Sequence, residues 1–118
     1  MEVEMRLTLC GSRKFEHRFH EWSTKLGLAG HVVYGLAVYN SLEEGNGLTE
    51  EQKTILDQIH FAKIDNSDGI VVLNEDGYYG QSTTNEIRWA RMKGKQVYWT
   101  MPHMKSMPIT DAWAGVLV

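Results

Sequence analysis

The chain has 118 residues, 42% of them hydrophobic and 23% charged, the composition of a single globular domain, 1–118, with a modest core. A formal net charge of −3 gives no general attraction toward duplex nucleic acid or an anionic membrane, so any phosphate must be held by local donors. The single cysteine, Cys10, excludes an internal disulfide, and no apolar run approaches the roughly 20 residues that span a bilayer.

The acidic start Met1-Glu2-Val3-Glu4 lacks the basic region and long apolar run of a signal peptide, which predicts a cytoplasmic protein. Met5 to Cys10 reads as a first strand and Gly11-Ser12-Arg13-Lys14 as a turn. Phe15, Phe19, Trp22 and Leu26 then form a helical stripe that ends near Gly27 or Gly30. His31 to Val38 reads as a second strand, and Tyr39 to Leu48 as a polar, glycine-bearing loop. Thr49-Glu50-Glu51-Gln52 matches a capping box and opens a helix running to about Asn66, with Ile55, Ile59 and Ala62 expected to face the sheet.

Asp68 to Leu73 follows as a buried strand, then a second helix pattern carrying Ile87, Trp89, Ala90 and Met92, then a strand from Gln96 to Thr100. Trp113, Val116 and Leu117 in the tail after Pro102 predict a last strand, a short helix or a surface for a partner subunit. Strand and helix alternate throughout, and such crossovers are right-handed and bury both sheet faces. The expected product is an α/β three-layer sandwich, flavodoxin- or Rossmann-like, around a parallel sheet of four or five strands.

Two turns stand out for chemistry. Asn74 to Ser82, with Tyr78, Tyr79 and Gly80, follows the third predicted strand and leads into the helix bearing Glu86. Ligands of open parallel sheets bind beyond the carboxyl ends of strands, so the Glu86 carboxylate is placed to face a bound molecule. The same residues also fit a capping box, with Thr83 as N-cap and Glu86 bonding back to its amide, and spacing alone favours the box.

The other turn, Gly11-Ser12-Arg13, offers backbone amides, a hydroxyl and a guanidinium to one anion. Its plainer reading is a strand-to-helix turn with Ser12 as N-cap and Arg13 in solvent. Both turns follow neighbouring strands at one sheet edge, so Arg13 and Glu86 are expected to converge on one pocket. Tyr34, Tyr39, Tyr78, Tyr79 and Trp89 are able to stack on a base, although such aromatics mostly fill cores. His17, His20, His31 and His103 show no metal-ligand spacing, and Met101, Met104 and Met107 read as packing residues, so no metal or cofactor is expected.

Leu9-Cys10-Gly11-Ser12-Arg13, Ser67-Asp68-Gly69-Ile70-Val71-Val72, Ser82-Thr83-Thr84-Asn85-Glu86-Ile87-Arg88-Trp89-Ala90 and Lys93-Gly94-Lys95-Gln96-Val97 occur in an order that is similar to the nucleoside 2-deoxyribosyltransferase superfamily. That superfamily includes the 2'-deoxynucleoside 5'-monophosphate N-glycosidases, and the likeness covers roughly residues 5 to 100. The resemblance implies a flavodoxin-like, often oligomeric domain that cleaves or exchanges the N-glycosidic bond of a deoxynucleoside or its monophosphate. It carries the family's nucleophilic glutamate onto Glu86. It carries the 5'-phosphate cradle onto Gly11, Ser12, Ser82 and, with a one-residue difference in spacing, Arg13.

A carboxylate suits that chemistry, because attack on the anomeric carbon passes through an oxocarbenium-like state that a buried anion stabilises. The chain departs from the family where the helix before the Asp68 strand usually supplies an aspartate: His60 stands there. Asp57, three residues earlier on the same helical face, reaches a similar point, or His60 itself serves as acid or ligand contact. Asp57 also reads as a solvated helix residue.

Two classes of function follow. One is an N-glycosidase or deoxyribosyltransferase acting on a nucleoside or nucleotide as a homodimer or higher homo-oligomer, without a cofactor. The other is a catalytically silent nucleotide-binding module that senses or sequesters a nucleotide or signalling derivative. Cleavage of a ribonucleotide or nicotinamide dinucleotide is a more remote enzyme reading.

Overall fold

The computed structural model describes residues 2–37, 47–102 and 108–118. Five strands, all parallel, make one sheet in the order β2-β1-β3-β4-β5: β1 is Arg6–Gly11, β2 Val32–Tyr34, β3 Gly69–Leu73, β4 Gln96–Trp99 and β5 Ala112–Trp113. This is the doubly wound order whose switch point lies where the chain leaves β1 in one direction and reaches β3 in the other. Among the described residues three α-helices connect the strands: α1, Glu16–Leu28; α2, Glu50–Asp65; and α3, Gln81–Met92.

Alternation along the strands splits the core in two. Leu7, Leu9, Val71 and Leu73 point to one face and meet Phe19, Trp22 and Leu26 of α1 together with Ala114. Cys10, Ile70, Val72 and Val97 point to the other and meet Ile64 of α2 and Ile87 and Ala90 of α3. Helices therefore cover both faces, giving the expected three layers. β3 is buried along its whole length, as a central parallel strand must be.

The described part of the tail after Pro102, residues 108–118, joins this same sheet. It supplies β5 and a single 3-10 turn, Ala114–Leu117, so of the three expectations for it the structure gives both a strand and a short helix. Asp111 anchors it, accepting hydrogen bonds from Arg91 at 3.0 and 2.9 Å and from Trp99 Nε1 at 2.8 Å. His31 Nε2 lies 2.8 Å from the Leu117 carbonyl and ties the turn to the α1 face. Met104, Met107 and His103 lie outside the described residues, as do Val38 and Tyr39.

Two local expectations need correction. The second strand was expected from His31 to Val38, but pairing stops at Tyr34. Among the described residues β2 is an edge strand that pairs with β1 alone, and the Gly35 carbonyl accepts from Lys63 Nζ at 2.8 Å instead of continuing a ladder. The second correction concerns α2. Its capping box forms, with Thr49 and Gln52 bonding reciprocally at 3.1 and 2.9 Å. The face it turns inward carries His60 and Ile64, however, while Ile55 and Ile59 remain 49% and 47% exposed and Ala62 is exposed too. At about 100° per residue, Ile59 lies well over a quarter-turn round the helix from Ile64, so one helix cannot bury both against a flat sheet. The polar His60 occupies the inward place that an apolar count assigns to isoleucine.

Candidate functional site

A cavity of about 390 Å³ opens at the carboxyl end of β1, beside the switch point. Gly11, Ser12 and Arg13 form one wall, and Gly80, Gln81, Ser82, Thr83 and Glu86 of the α3 end form another. The α2 wall contributes Lys53, Leu56, Asp57, His60 and Lys63, and Leu36, Ala37 and Leu48 complete the rim. The sequence-based expectation that Arg13 and Glu86 face one pocket holds, and Asp57 and His60 face it with them.

Local structure explains each wall. β1 ends at Gly11, where a Cβ would stand 3.1 Å from both Leu73 Cβ and the Leu73 carbonyl oxygen, so no larger residue fits without movement. Ser12 then caps a 3-10 turn, Arg13–Phe15, its Oγ accepting from the Lys14 amide at 3.4 Å. Ser12 is thus an N-cap, yet Arg13 is half-buried in the cavity wall and not a solvated side chain. α3 begins at the Gly80 N-cap with no side-chain cap and no acidic residue in its first turn. Its unpaired amide end and positive dipole end are therefore open toward an anion.

The capping-box reading of Glu86 does not hold. The helix starts at Gln81, so Thr83 is inside the first turn and buried, and Glu86 lies in the second turn, out of reach of the N-cap amide. Glu86 points to the cavity floor instead, its side chain 12% exposed, with Oε2 3.6 Å from His60 Nε2. Cys10, fully buried behind it, has Sγ 3.6 Å from the same nitrogen.

Burial sets the charges here. Removal from water is the main cause that raises the Glu86 carboxyl from 4.5 to about 8; the Cys10 thiol lowers it somewhat and the Asp57 charge raises it further. Burial, aided by the Lys63 cation, lowers His60 from 6.5 to about 4. At neutral pH, Glu86 therefore holds its proton and His60 is uncharged. The Cys10 thiol is also pushed up, chiefly by burial. Two carboxyls on different walls of one cavity, Glu86 neutral and deep and Asp57 exposed, form an asymmetric pair of the kind found where acid and base roles separate.

Asn74, Tyr78 and Tyr79 lie outside the cavity wall. Asn74 is fully buried and joins the ends of β3 and β4, accepting from the Met101 amide at 2.8 Å and donating to its carbonyl at 2.7 Å. Tyr78 packs edge-on against Phe15 at 6.2 Å, with Lys14 Nζ 3.6 Å from its ring centroid. Tyr79 turns toward the core, 5.3 Å from the Trp99 ring. Trp89 packs against Phe61 with ring centroids 5.0 Å apart and planes tilted by 48°, and donates to Asp65 at 2.8 Å. Sequence reasoning placed the loop correctly but could not tell which way its rings turn. It also missed Lys53 and Lys63, which carry no motif, and the approach of Cys10 to His60 and Glu86, which three separate elements create.

No protein-family model and no curated protein matches the sequence. Solved structures do match the fold. A 2-deoxyribosyltransferase from Bacillus psychrosaccharolyticus superposes with a TM-score of 0.62 at 19% identity, over 80% of this chain and 70% of that one. The CMP N-glycosidase BcmB of Clostridium botulinum gives 0.55 at 21% identity, over 80% and 69%. A conserved protein of Enterococcus faecalis V583 gives 0.54 at 14%, over 88% and 67%. The chain has the fold that the sequence resemblance implies.

Proposed function

We propose that this chain is an enzyme that cleaves or exchanges the N-glycosidic bond of a (deoxy)nucleoside 5'-monophosphate, with Glu86 as nucleophile. The observation that carries this is the position of Glu86: a deeply placed carboxyl on the floor of a cavity whose mouth has Arg13, Ser12 and the α3 amide end. Two of the structures that share the fold act on such bonds by name, which supports the same class of chemistry.

In this reading the phosphate rests on Gly11, Ser12, Arg13, Gly80 and Ser82, and the sugar lies over Glu86. The Glu86 carboxyl first gives its proton to water, the resulting carboxylate attacks C1', and the C1'–N bond breaks with its electron pair passing to the base. Asp57 and His60, on the α2 wall, face the departing base, which takes up one proton. Water, or a second base, then attacks C1' and frees the carboxylate. Positive charge developing on the sugar favours the anionic form of Glu86 where it is needed. Incubation with a panel of nucleosides, monophosphates and dinucleotides, read as free base by chromatography, tests the proposal. Base released preferentially from a monophosphate supports it, and no base from any of them contradicts it.

Two observations favour the second reading, a silent nucleotide-binding module. Glu86 is protonated at neutral pH, and His60 stands where the resemblance places an aspartate. Binding of a monophosphate without base release would support that alternative. We also propose that the chain forms a homodimer through the exposed apolar residues Ile109, Trp113, Val116 and Val118 of the tail. Sedimentation at micromolar concentration is expected to show a species of twice the 13.5 kDa chain, and a lone 13.5 kDa species contradicts it.

A further inference from the structure

Cys10, His60 and Glu86 come from β1, α2 and α3, and one ligand atom of each lies within 4.8 Å of the others. The His60 Nε2 to Glu86 Oε2 distance of 3.6 Å is too long for a hydrogen bond between nitrogen and oxygen. The His60 Nε2 to Cys10 Sγ distance is also 3.6 Å. These two separations match the edges of a tetrahedron around zinc, which are about 3.3 to 3.6 Å for metal–ligand bonds of about 2.0 to 2.3 Å, and the third, between Cys10 and Glu86, lies within 4.8 Å.

We propose that Cys10, His60 and Glu86 bind one thiophilic divalent cation, Zn²⁺ foremost, with the fourth coordination position open to the cavity. His60 and Glu86 line the cavity whereas Cys10 lies behind them, so the three ligands cap the floor and leave one side for water or a ligand atom. Three protein ligands with an open position is the composition of a reactive zinc site and not of a closed structural one. A thiolate with an imidazole selects zinc or cobalt over magnesium and calcium, which prefer all-oxygen sets. Binding displaces one proton from the thiol and one from the carboxyl, and the two anions cancel the cation's charge, so a buried site ends electrically neutral.

The consequence for turnover rests on the function proposed above. A cation on Glu86 occupies the carboxylate that must attack C1', so zinc and the sugar compete for one group and the metal-loaded protein is held inactive.

The test uses the full chain, freed of metal by a chelator. Titration with Zn²⁺ against a chromogenic chelator is expected to show one tight equivalent. Co²⁺ is expected to produce a near-ultraviolet thiolate-to-cobalt charge-transfer band and the visible bands of a four-coordinate site. Cys10→Ala removes the charge-transfer band and weakens Zn²⁺ binding by about tenfold or more, and His60→Gln weakens it similarly. His60→Gln decides the matter if Cys10→Ala melts before it can be titrated. Absence of the band, or zinc affinity unchanged in these variants, overturns the site and places any bound metal on surface groups such as His17 and His20. Zinc is also expected to stop base release and a chelator to restore it. Zinc bound through Cys10 with base release undiminished would sustain the site while removing Glu86 from the reaction, and a metal-free protein without turnover on any nucleotide would defeat the enzyme reading while the cobalt spectrum still judges the site.

Discussion

Glu86 Oε2 lies 3.6 Å from His60 Nε2, and burial drives their proton affinities in opposite directions, Glu86 up to about 8 and His60 down to about 4. Two groups that between about pH 4.5 and 6.5 would carry opposite charges in water are thus both neutral on the cavity floor. A carboxyl in that condition attacks nothing until it loses its proton, and this ties activity to pH in a definite direction.

Because only the anion of Glu86 is nucleophilic, its share of the metal-free protein rises with pH until the pH passes about 8. Measured with a chelator present, kcat/KM for a nucleoside monophosphate is expected to climb by about tenfold per pH unit below that value and then level off. A profile already flat from pH 5.5 upward would contradict the protonated resting state, because an ordinary carboxyl near 4.5 would be fully ionised there.

The inward face of α2 predicts a contrast between two isoleucines. Ile64 is fully buried against the sheet, so Ile64→Ala is expected to cost about 2–5 kcal/mol in denaturant unfolding. Ile59, 47% exposed, is expected to cost less than about 1 kcal/mol when replaced by alanine. Equal losses at the two positions would mean that α2 is rotated from the orientation described.

Arg13 shares the cavity wall with Ser12 and the α3 amide end. Replacing it with alanine is expected to weaken monophosphate binding by about 1.5–3 kcal/mol, as for a charge-assisted hydrogen bond, and to leave binding of the unphosphorylated nucleoside nearly unchanged. Calorimetry in which the unmodified protein binds nucleoside and monophosphate equally well would remove the phosphate from this wall.

Strand and helix order was legible in the sequence because β3 is a continuous apolar run and the α1 stripe of Phe19, Trp22 and Leu26 keeps helical spacing. The convergence of Arg13 and Glu86 was legible too, because it follows from the rule that parallel sheets bind at their strand ends, whereas Asp57 and His60 were placed beside them only by the family resemblance. What failed did so where a side chain's surroundings, not its spacing, decide its orientation. Thr83 and Glu86 have capping-box spacing, yet the helix starts three residues earlier, at the glycine that carries no side chain to advertise a cap. Ile55 and Ile59 outrank His60 in hydrophobicity, yet His60 is the buried one, facing Cys10 and Glu86 across the cavity floor. Cys10 has no partner nearby in sequence, and only the packing of α2 and α3 on β1 brings two to it.

The central claim is that the Glu86 carboxylate forms the bond to C1', and Glu86→Gln tests it most directly. Glutamine has nearly the same shape and remains neutral, as Glu86 itself is at rest, so the variant is expected to melt close to the unmodified protein and to bind monophosphate. Single-turnover base release by the metal-free variant, above pH 8, is expected to fall by several orders of magnitude, about the scale of losing a covalent nucleophile. Release at an undiminished rate from a folded Glu86→Gln protein would contradict the account.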